Sequence, residues 1–382
     1  MGVIWHIVLR IILHPRKDLS TMDRIVKVGI IGCGGIANGK HMPSLHNIPN
    51  VEMVAFCDLI EERAEKAAKK YGTPDAKVYT DYKELLKDET IEVVHVLTPN
   101  REHADITVDA LYAGKHVMCE KPMAKTADDA RRMVAAAKET GKKLSIGYQH
   151  RQKVSAQYAK EYIDTGALGE IYYANCYAVR RRGTPNWGVF LNEEEQGGGP
   201  IIDIATHSLD LTLYLMNNYE PAVVLGKTHK KLEHPEAGNI WGDDGVSTTP
   251  LEEAACAFIQ MKNGATIMLE TSWALNVSDP IAEGSCVLCG SKAGLSLKND
   301  KLILNEVKLN RLTDTDVNTS AGGVNFYEGV TMSPAQTEAI NWINCIVNDT
   351  DPVVLPEQAL VVSEILEAIY TSSKTGKPVY FD

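Results

Sequence analysis

The chain has 382 residues, 44% of them apolar, with 50 acidic against 39 basic residues and a formal charge of −11. At roughly 100 to 200 residues per domain this length supports two domains with their own cores, and the composition excludes a disordered or collagen-like protein. The acidic excess, without a long basic run, argues against nucleic-acid and anionic-lipid partners, and eight scattered cysteines make no disulfide scaffold, so a reducing, cytoplasmic setting is the simpler expectation.

Val3 to Leu13 is apolar but interrupted by His6 and Arg10, and it falls short of the ~20 residues a membrane span needs. No small-residue cleavage site precedes His14-Pro15-Arg16-Lys17. Residues 1–22 therefore read as an N-terminal extension or arm.

Residues 23–150 alternate β-branched runs with amphipathic stretches, the pattern of a parallel sheet with crossover helices. Strands are expected at Val26 to Ile31, Val51 to Cys57, Ile91 to Leu97, His116 to Cys119 and Leu144 to Gly147. Helices are expected at Glu61 to Tyr71, Tyr82 to Leu86, His103 to Ala113 and Ala127 to Thr140, three of them ending on glycines (Gly72, Gly114, Gly141) suited to left-handed caps.

Residues 151–382 change rhythm. One helix, Val154 to Thr165, precedes strands at Glu170 to Arg180, Ala222 to Lys231, Leu251 to Met261, Ala265 to Trp273, Ser285 to Gly290 and Gly294 to Leu297, with a turn at Asn263-Gly264. Helices at Pro334 to Asn348 and Glu357 to Thr375 close the chain, and residues 232–249 and 310–329 read as long loops. The expected fold is thus an α/β Rossmann dinucleotide-binding domain followed by an α+β domain with a large, mostly antiparallel open sheet. A sheet of that kind leaves a face to be covered, which favours a homodimer or homotetramer.

The first strand runs into Gly32-Cys33-Gly34-Gly35-Ile36-Ala37, a G-x-G-x-x-A turn. Gly32 permits the tight turn, Gly34 lets backbone approach a pyrophosphate, and the helix start at Gly35 and Ile36 offers amide hydrogens to phosphate. About 20 positions on, Asp58 ends the second strand, where a carboxylate accepts from both ribose hydroxyls and repels a 2′-phosphate. NAD is thereby favoured over NADP, with Arg63 the nearest candidate cation for a 2′-phosphate and capping of the next helix the plainer role for Asp58.

Lys121 stands in Glu120-Lys121-Pro122 at the carboxyl end of a parallel strand, where open α/β sheets bind ligands. Its ammonium can stabilise an alkoxide developing as hydride leaves carbon. In the second domain Gly197-Gly198-Gly199-Pro200 introduces Ile201 to Leu211; if that segment is a helix, Asp203 and His207 share one face. A neutral imidazole can then take a hydroxyl proton while the carboxylate orients it, although such spacing is more often structural.

Gly32 to Ala37 with Asp58, then Thr98-Pro99-Asn100-Arg101-Glu102-His103, Gly114 to Pro122, and Gly197-Gly198-Gly199 with Asp203 and His207 resemble the glucose-fructose oxidoreductase, inositol dehydrogenase and rhizopine-catabolism family, from about Lys27 to Asp382. The resemblance implies that Lys121, Asp203 and His207 meet at the nicotinamide, with His207 as general base. It also implies that Thr98, Pro99, Asn100, His103 and Glu120 line the cofactor. The chain departs from the family's commoner Asn-Arg form at Gln149-His150-Arg151, with Gln149 and Arg151 as substrate-side candidates.

Arg180 to Gly188 sits between the second domain's first strand and the glycine run, so Trp187 and an arginine can reach over the site, the ring facing a sugar and the guanidinium its hydroxyls. A solvated arginine cluster is the plainer alternative. Cys286 and Cys289 point to opposite strand faces, and neither they nor His229 and His234 are assigned a metal. The expected function is NAD-dependent oxidation of a secondary alcohol of a sugar, cyclitol or glycoside. Two others stay open: a closed hydride cycle on retained NAD, used for glycoside cleavage or sugar–sugar oxidoreduction, and a non-catalytic nucleotide-responsive binding protein.

Overall fold

The computed structural model describes residues 24–319 and 332–382; the extension expected over 1–22 and the last part of the 310–329 loop lie outside them. In the first domain β1 (Val26–Ile31), β2 (Val51–Cys57), β3 (Lys77–Tyr79), β4 (Val93–Val96), β5 (His116–Cys119) and β6 (Leu144–Ile146) alternate with α1 (Met42–His46), α2 (Glu61–Tyr71), α3 (Tyr82–Leu86), α4 (His103–Tyr112) and α5 (Ala127–Thr140). The six strands lie in the order β3-β2-β1-β4-β5-β6, all neighbours parallel. Covered on both faces, β4 reads Val-Val-His-Val with every residue buried. Strand order reverses between β1 and β4, the crevice where such sheets bind ligands.

The second domain holds α6 (Val154–Asp164), β7 (Ile171–Val179), α7 (Glu193–Gln196), α8 (Thr206–Met216), β8 (Pro221–His229), β9 (Ala254–Met261), β10 (Thr266–Ser272), β11 (Ile281–Gly290), β12 (Gly294–Lys298), β13 (Lys301–Lys308), β14 (Arg311–Val317), α9 (Pro334–Val347), α10 (Pro356–Thr375) and β15 (Val379–Tyr380). Among the described residues its nine strands run β14-β13-β12-β11-β7-β10-β9-β8-β15, antiparallel except between β7 and β10. Buried and exposed residues alternate along β9, as on a sheet with one face on the core.

Four features depart from the sequence pattern. β3 and the β13–β14 hairpin are strands where the pattern assigns none or a loop. β14, Arg-Leu-Thr-Asp-Thr-Asp-Val, is exposed or half-buried throughout, so no apolar face marks it. Gly114 and Gly141 take left-handed backbone, but Gly72 has φ −78°; a Cβ there would lie 2.7 Å from the Ala68 carbonyl oxygen and 2.9 Å from the Phe56 ring, so close packing accounts for that glycine. Finally, α9 does not keep to the division near residue 150: Ala339, Trp342, Ile343 and Ile346 bury in one cluster with Val26, Val28, Leu45 and Phe56 of the first domain.

Candidate active site

β1 delivers the chain into the glycine turn. Gly32 has φ +92°, and a Cβ on it would stand 2.7 Å from the Leu97 carbonyl, so only glycine fits. Gly34 and Gly35 have nothing within 4 Å of a Cβ position; the turn borders open space at the helix start, and Ile36 is 43% exposed there. That cradle fits a dinucleotide pyrophosphate. Asp58 accepts from the Cys33 amide (2.8 Å) through Oδ2 and from the Ile60 amide (2.9 Å) through Oδ1. It therefore caps its own turn and ties down the glycine loop, and each oxygen keeps lone-pair capacity for a ribose hydroxyl. Arg63 is exposed, and no ion pair joins it to Asp58 among the described residues.

The other cofactor-side candidates cluster at the ends of β4 and β5. Thr98 Oγ1 is buried without a partner, while Pro99 is exposed. The ring nitrogens of His103 lie 2.8 Å from the Pro122 carbonyl and 2.9 Å from the Thr98 carbonyl, and the uncharged ring donates to one of them, between the two strand ends that carry the site. Asn100 donates to the Gln196 carbonyl (3.0 Å) and side chain (2.7 Å), so it docks the second domain's glycine run onto the first domain. Glu120 is buried, accepting from Lys40 (2.6 Å), His41 (2.7 Å) and the Lys121 amide (3.0 Å). Burial alone would raise its pKa, but Lys40 and His41 hold it well below the usual carboxylate range. Lys40 also reaches Glu338 of α9 at 2.8 Å, a link no local sequence signal announces.

Asn100, with Lys125 donating to the Glu194 carbonyl (2.6 Å), brings Asp203 to Lys121. Lys121 Nζ donates to the Asp203 carbonyl (2.9 Å) and Oδ1 (3.2 Å). Asp203 Oδ2 accepts from Trp273 Nε1 at 2.9 Å and lies 3.9 Å from Arg180. The expected Asp203–His207 hydrogen bond is not made. Residues Ile201–Ala205 form a π turn ahead of α8, so the four-residue spacing does not stack the two side chains as a regular helix would, and Trp273 and Lys121 hold the carboxylate. His207 lies instead beside Tyr148 and His150, ring centroids 6.4 and 4.8 Å away, and its Nδ1 is sealed without a partner. Burial, then the charge of Lys121, hold its pKa well below the ordinary histidine value; burial likewise pushes His150 down to about 3. The result is an uncharged imidazole beside an ammonium and a carboxylate, a set able to accept a proton and steady an alkoxide.

Residues 26–148 match the model of the oxidoreductase family, NAD-binding Rossmann fold, and residues 160–381 match that family's C-terminal alpha/beta domain. The chain belongs to the glucose-fructose oxidoreductase and inositol dehydrogenase family. Among family relatives, D-glucoside 3-dehydrogenase of Escherichia coli is 33% identical over 93% of this chain and 97% of its own length. Inositol 2-dehydrogenase of Salmonella typhimurium is 41% identical over 38% of this chain and 43% of its own. The fold is shared with levoglucosan dehydrogenase in complex with NADH, at a TM-score of 0.79 and 21% identity over 94% of this chain and all of the other. As a family member the chain is an oxidoreductase with an NAD-binding Rossmann domain, and the reading as a non-catalytic binding protein falls.

On the substrate side, the structure corrects the candidate role of Arg151. Arg151 is fully buried; its guanidinium forks onto both oxygens of Asp210 (2.9 and 2.6 Å) and also donates to Val353 O, Gln358 and Tyr219. All five donors are used, so Arg151 fixes the turn at Gln149–Gln152 against α8, one turn beyond His207, and has none left for a substrate. Arg151→Leu, which strands Asp210, is expected to cost about 3 to 5 kcal/mol, read from urea melts against wild type. Gln149, half-buried on that turn, follows the carboxyl end of β6.

Trp187 is 49% exposed and packs edge-on against Trp241 at 4.8 Å. Trp241 faces the Arg180 guanidinium (5.5 Å), which also lies 3.3 Å from Glu283. Of the arginine cluster it is Arg180 that reaches Asp203, while Arg182 bonds Ala237 O and Asn276. Trp241, Trp273, Glu283 and His150 escape sequence reading because only tertiary folding brings them here. Cys286 is buried and Cys289 half-buried in β11, and among the described residues no cluster is arranged to hold a metal.

Proposed function

We propose that the enzyme oxidises a secondary alcohol of a neutral sugar or glycoside with NAD. The observation that carries this reading is the meeting of Lys121 and Asp203 at the carboxyl end of β5, with His207 kept uncharged by burial and by the charge of Lys121. The D-glucoside 3-dehydrogenase relative, matched over nearly its whole length, supports a sugar alcohol. Local charge supports a neutral one: Lys121 and Arg180, the two cations that reach Asp203, already face the carboxylates of Asp203 and Glu283. Trp187 and Trp241 offer apolar faces to a ring.

When bound, the nicotinamide supplies the hydride acceptor. Lys121 donates to the reacting oxygen and balances its charge, and Asp203, fixed by Trp273, orients the ammonium. His207 takes the hydroxyl proton, because burial keeps it free of one at neutral pH. Asp58 selects NAD; Asp58→Ser is expected to lower the NAD-over-NADP ratio of kcat/KM about 10- to 100-fold, since a charge-assisted bond to ribose is lost. Steady-state rates with both nucleotides check this.

Leu225, Phe258 and Met268 stand side by side across β8, β9 and β10, each 37 to 46% exposed, an apolar row that a second copy would cover. Light scattering should give a dimer or tetramer, and Phe258→Lys should shift it toward monomer; a wild-type monomer would refute the assembly. The eight unpaired cysteines suit a reducing, cytoplasmic setting.

The deciding experiment follows reduced-nicotinamide absorbance with separate pools of glycosides, free sugars, cyclitols and sugar acids. A rise with glycosides or neutral sugars supports the reading, and a rise only with acids overturns neutrality. Substrate consumption without a rise would indicate the closed hydride cycle.

A further inference from the structure

We infer that Glu252 and Tyr370 are positioning residues for catalysis, with Tyr370 holding Glu252 and Glu252 fixing where the helix that carries Asp203 and His207 begins. The inference rests on the proposed roles of those two residues. The first turn of that helix has no side-chain cap of its own, since Pro200 occupies the cap position, and the leading amides of a helix need outside acceptors. Glu252 Oε1 supplies one, accepting from Gly199 N at 3.0 Å and Ile201 N at 3.5 Å, while Tyr370 of α10 donates to the same oxygen at 2.6 Å. The Gly199 carbonyl in turn accepts from the amides of Ile202 (3.1 Å) and Asp203 (3.0 Å). One residue thus links Glu252 to the backbone of Asp203.

The glycine run has its explanation in the same contacts. A Cβ on Gly198 would fall 2.0 Å from the Tyr370 hydroxyl, and one on Gly199 would fall 2.7 Å from the Glu252 carbonyl. Glycine is required so that the turn can lie against this pair. Glu252 and Tyr370 line a cleft of about 660 Å³, with Lys125, Lys230, Glu193 and Glu367 around it and none of Lys121, Asp203 or His207 on its wall. A carboxylate held at the helix start also complements its positive end.

The test compares Glu252→Leu, Glu252→Gln and Tyr370→Phe as NAD-bound enzymes. It reads kcat and KM for the sugar substrate, NAD affinity, melting temperature, and the His207 ring resonance in histidine-labelled protein, assigned with His207→Gln. A misplaced catalytic group costs rate steeply, so Glu252→Leu should lower kcat about tenfold or more and leave NAD affinity within about twofold. Glu252→Gln keeps an oxygen for the two amides and should restore kcat to within about threefold of wild type. The His207 resonance should move in the Leu and Phe variants and return in the Gln variant. Wild-type kcat and resonance in a folded Glu252→Leu protein would overturn the inference, as would a Gln variant as impaired as the Leu one. If Glu252→Leu does not fold, Tyr370→Phe decides, an unmoved resonance overturning the inference. If wild type turns over no sugar, the functional reading fails by itself and the resonance still decides the positioning role.

Discussion

Replacing His207 with alanine is expected to lower kcat by about 10² to 10⁴ and to leave NAD affinity nearly unchanged. The proposed nucleotide cradle is the Gly32–Ala37 turn with Asp58 tying it down, whereas His207 stands on α8 with no bond to that turn. Lys121→Met should cost about 10² to 10³, the usual loss when one donor to a developing oxyanion is removed. The pH dependence separates the two roles. Burial, then Lys121, depress the His207 pKa, and a base with a depressed pKa stays uncharged as the pH falls through about 6.5. Wild-type kcat/KM should therefore show no acid limb near 6.5. In Lys121→Met one depressing charge is gone, the His207 pKa rises, and its acid limb should move to higher pH. Profiles of kcat/KM between pH 5 and 8 for both proteins check this, and a wild-type limb near 6.5 would count against His207 as the base.

The features legible in the sequence were those written in consecutive residues. A doubly covered parallel strand needs only an apolar run and the turn after it needs glycines, so β1, β2, β5 and the cradle match the pattern to the residue. The contacts that tune the site come from far along the chain. Trp273 holds Asp203 from the end of β10, Arg180 reaches it from the end of β7, and Lys40 and Glu338 meet through α9; none is marked by local spacing. Where local spacing did speak, it assumed a regular helix, and the π turn at Ile201–Ala205 moved Asp203 from His207 to Lys121. Arg151 reads in the sequence as a substrate-side candidate, but its burial against Asp210 depends on how α8 packs.

Acidification from pH 7 to 5 is expected to destabilise the fold by several kcal/mol, before ordinary carboxylates titrate. His95, His103, His116, His150 and His207 all have pKa values pushed down chiefly by burial, His116 to about 4 and His150 to about 3. Unfolded, each takes a proton near 6.5. Below that pH the unfolded chain binds more protons than the native one, so stability falls as the pH falls, by at most about 1.4 kcal/mol per unit for a buried group until its folded pKa is reached. For His116 and His150 the window runs from about 6.5 down to about 4 and about 3. Glu120 and Asp88, depressed carboxyls, add to the loss only at lower pH, while the raised carboxyls Glu252 and Asp210 oppose it. Urea melts at pH 7.5, 6.5, 5.5 and 5 should show little change above about 6.5 and a fall in unfolding free energy below it, which His150→Gln should flatten by up to about 1.4 kcal/mol per pH unit. A stability that stays level from pH 7 to 5 would mean that these imidazoles are hydrated in solution. It would also remove the ground for an uncharged His207, because the burial that makes the fold acid-sensitive is the burial that keeps the proton acceptor free.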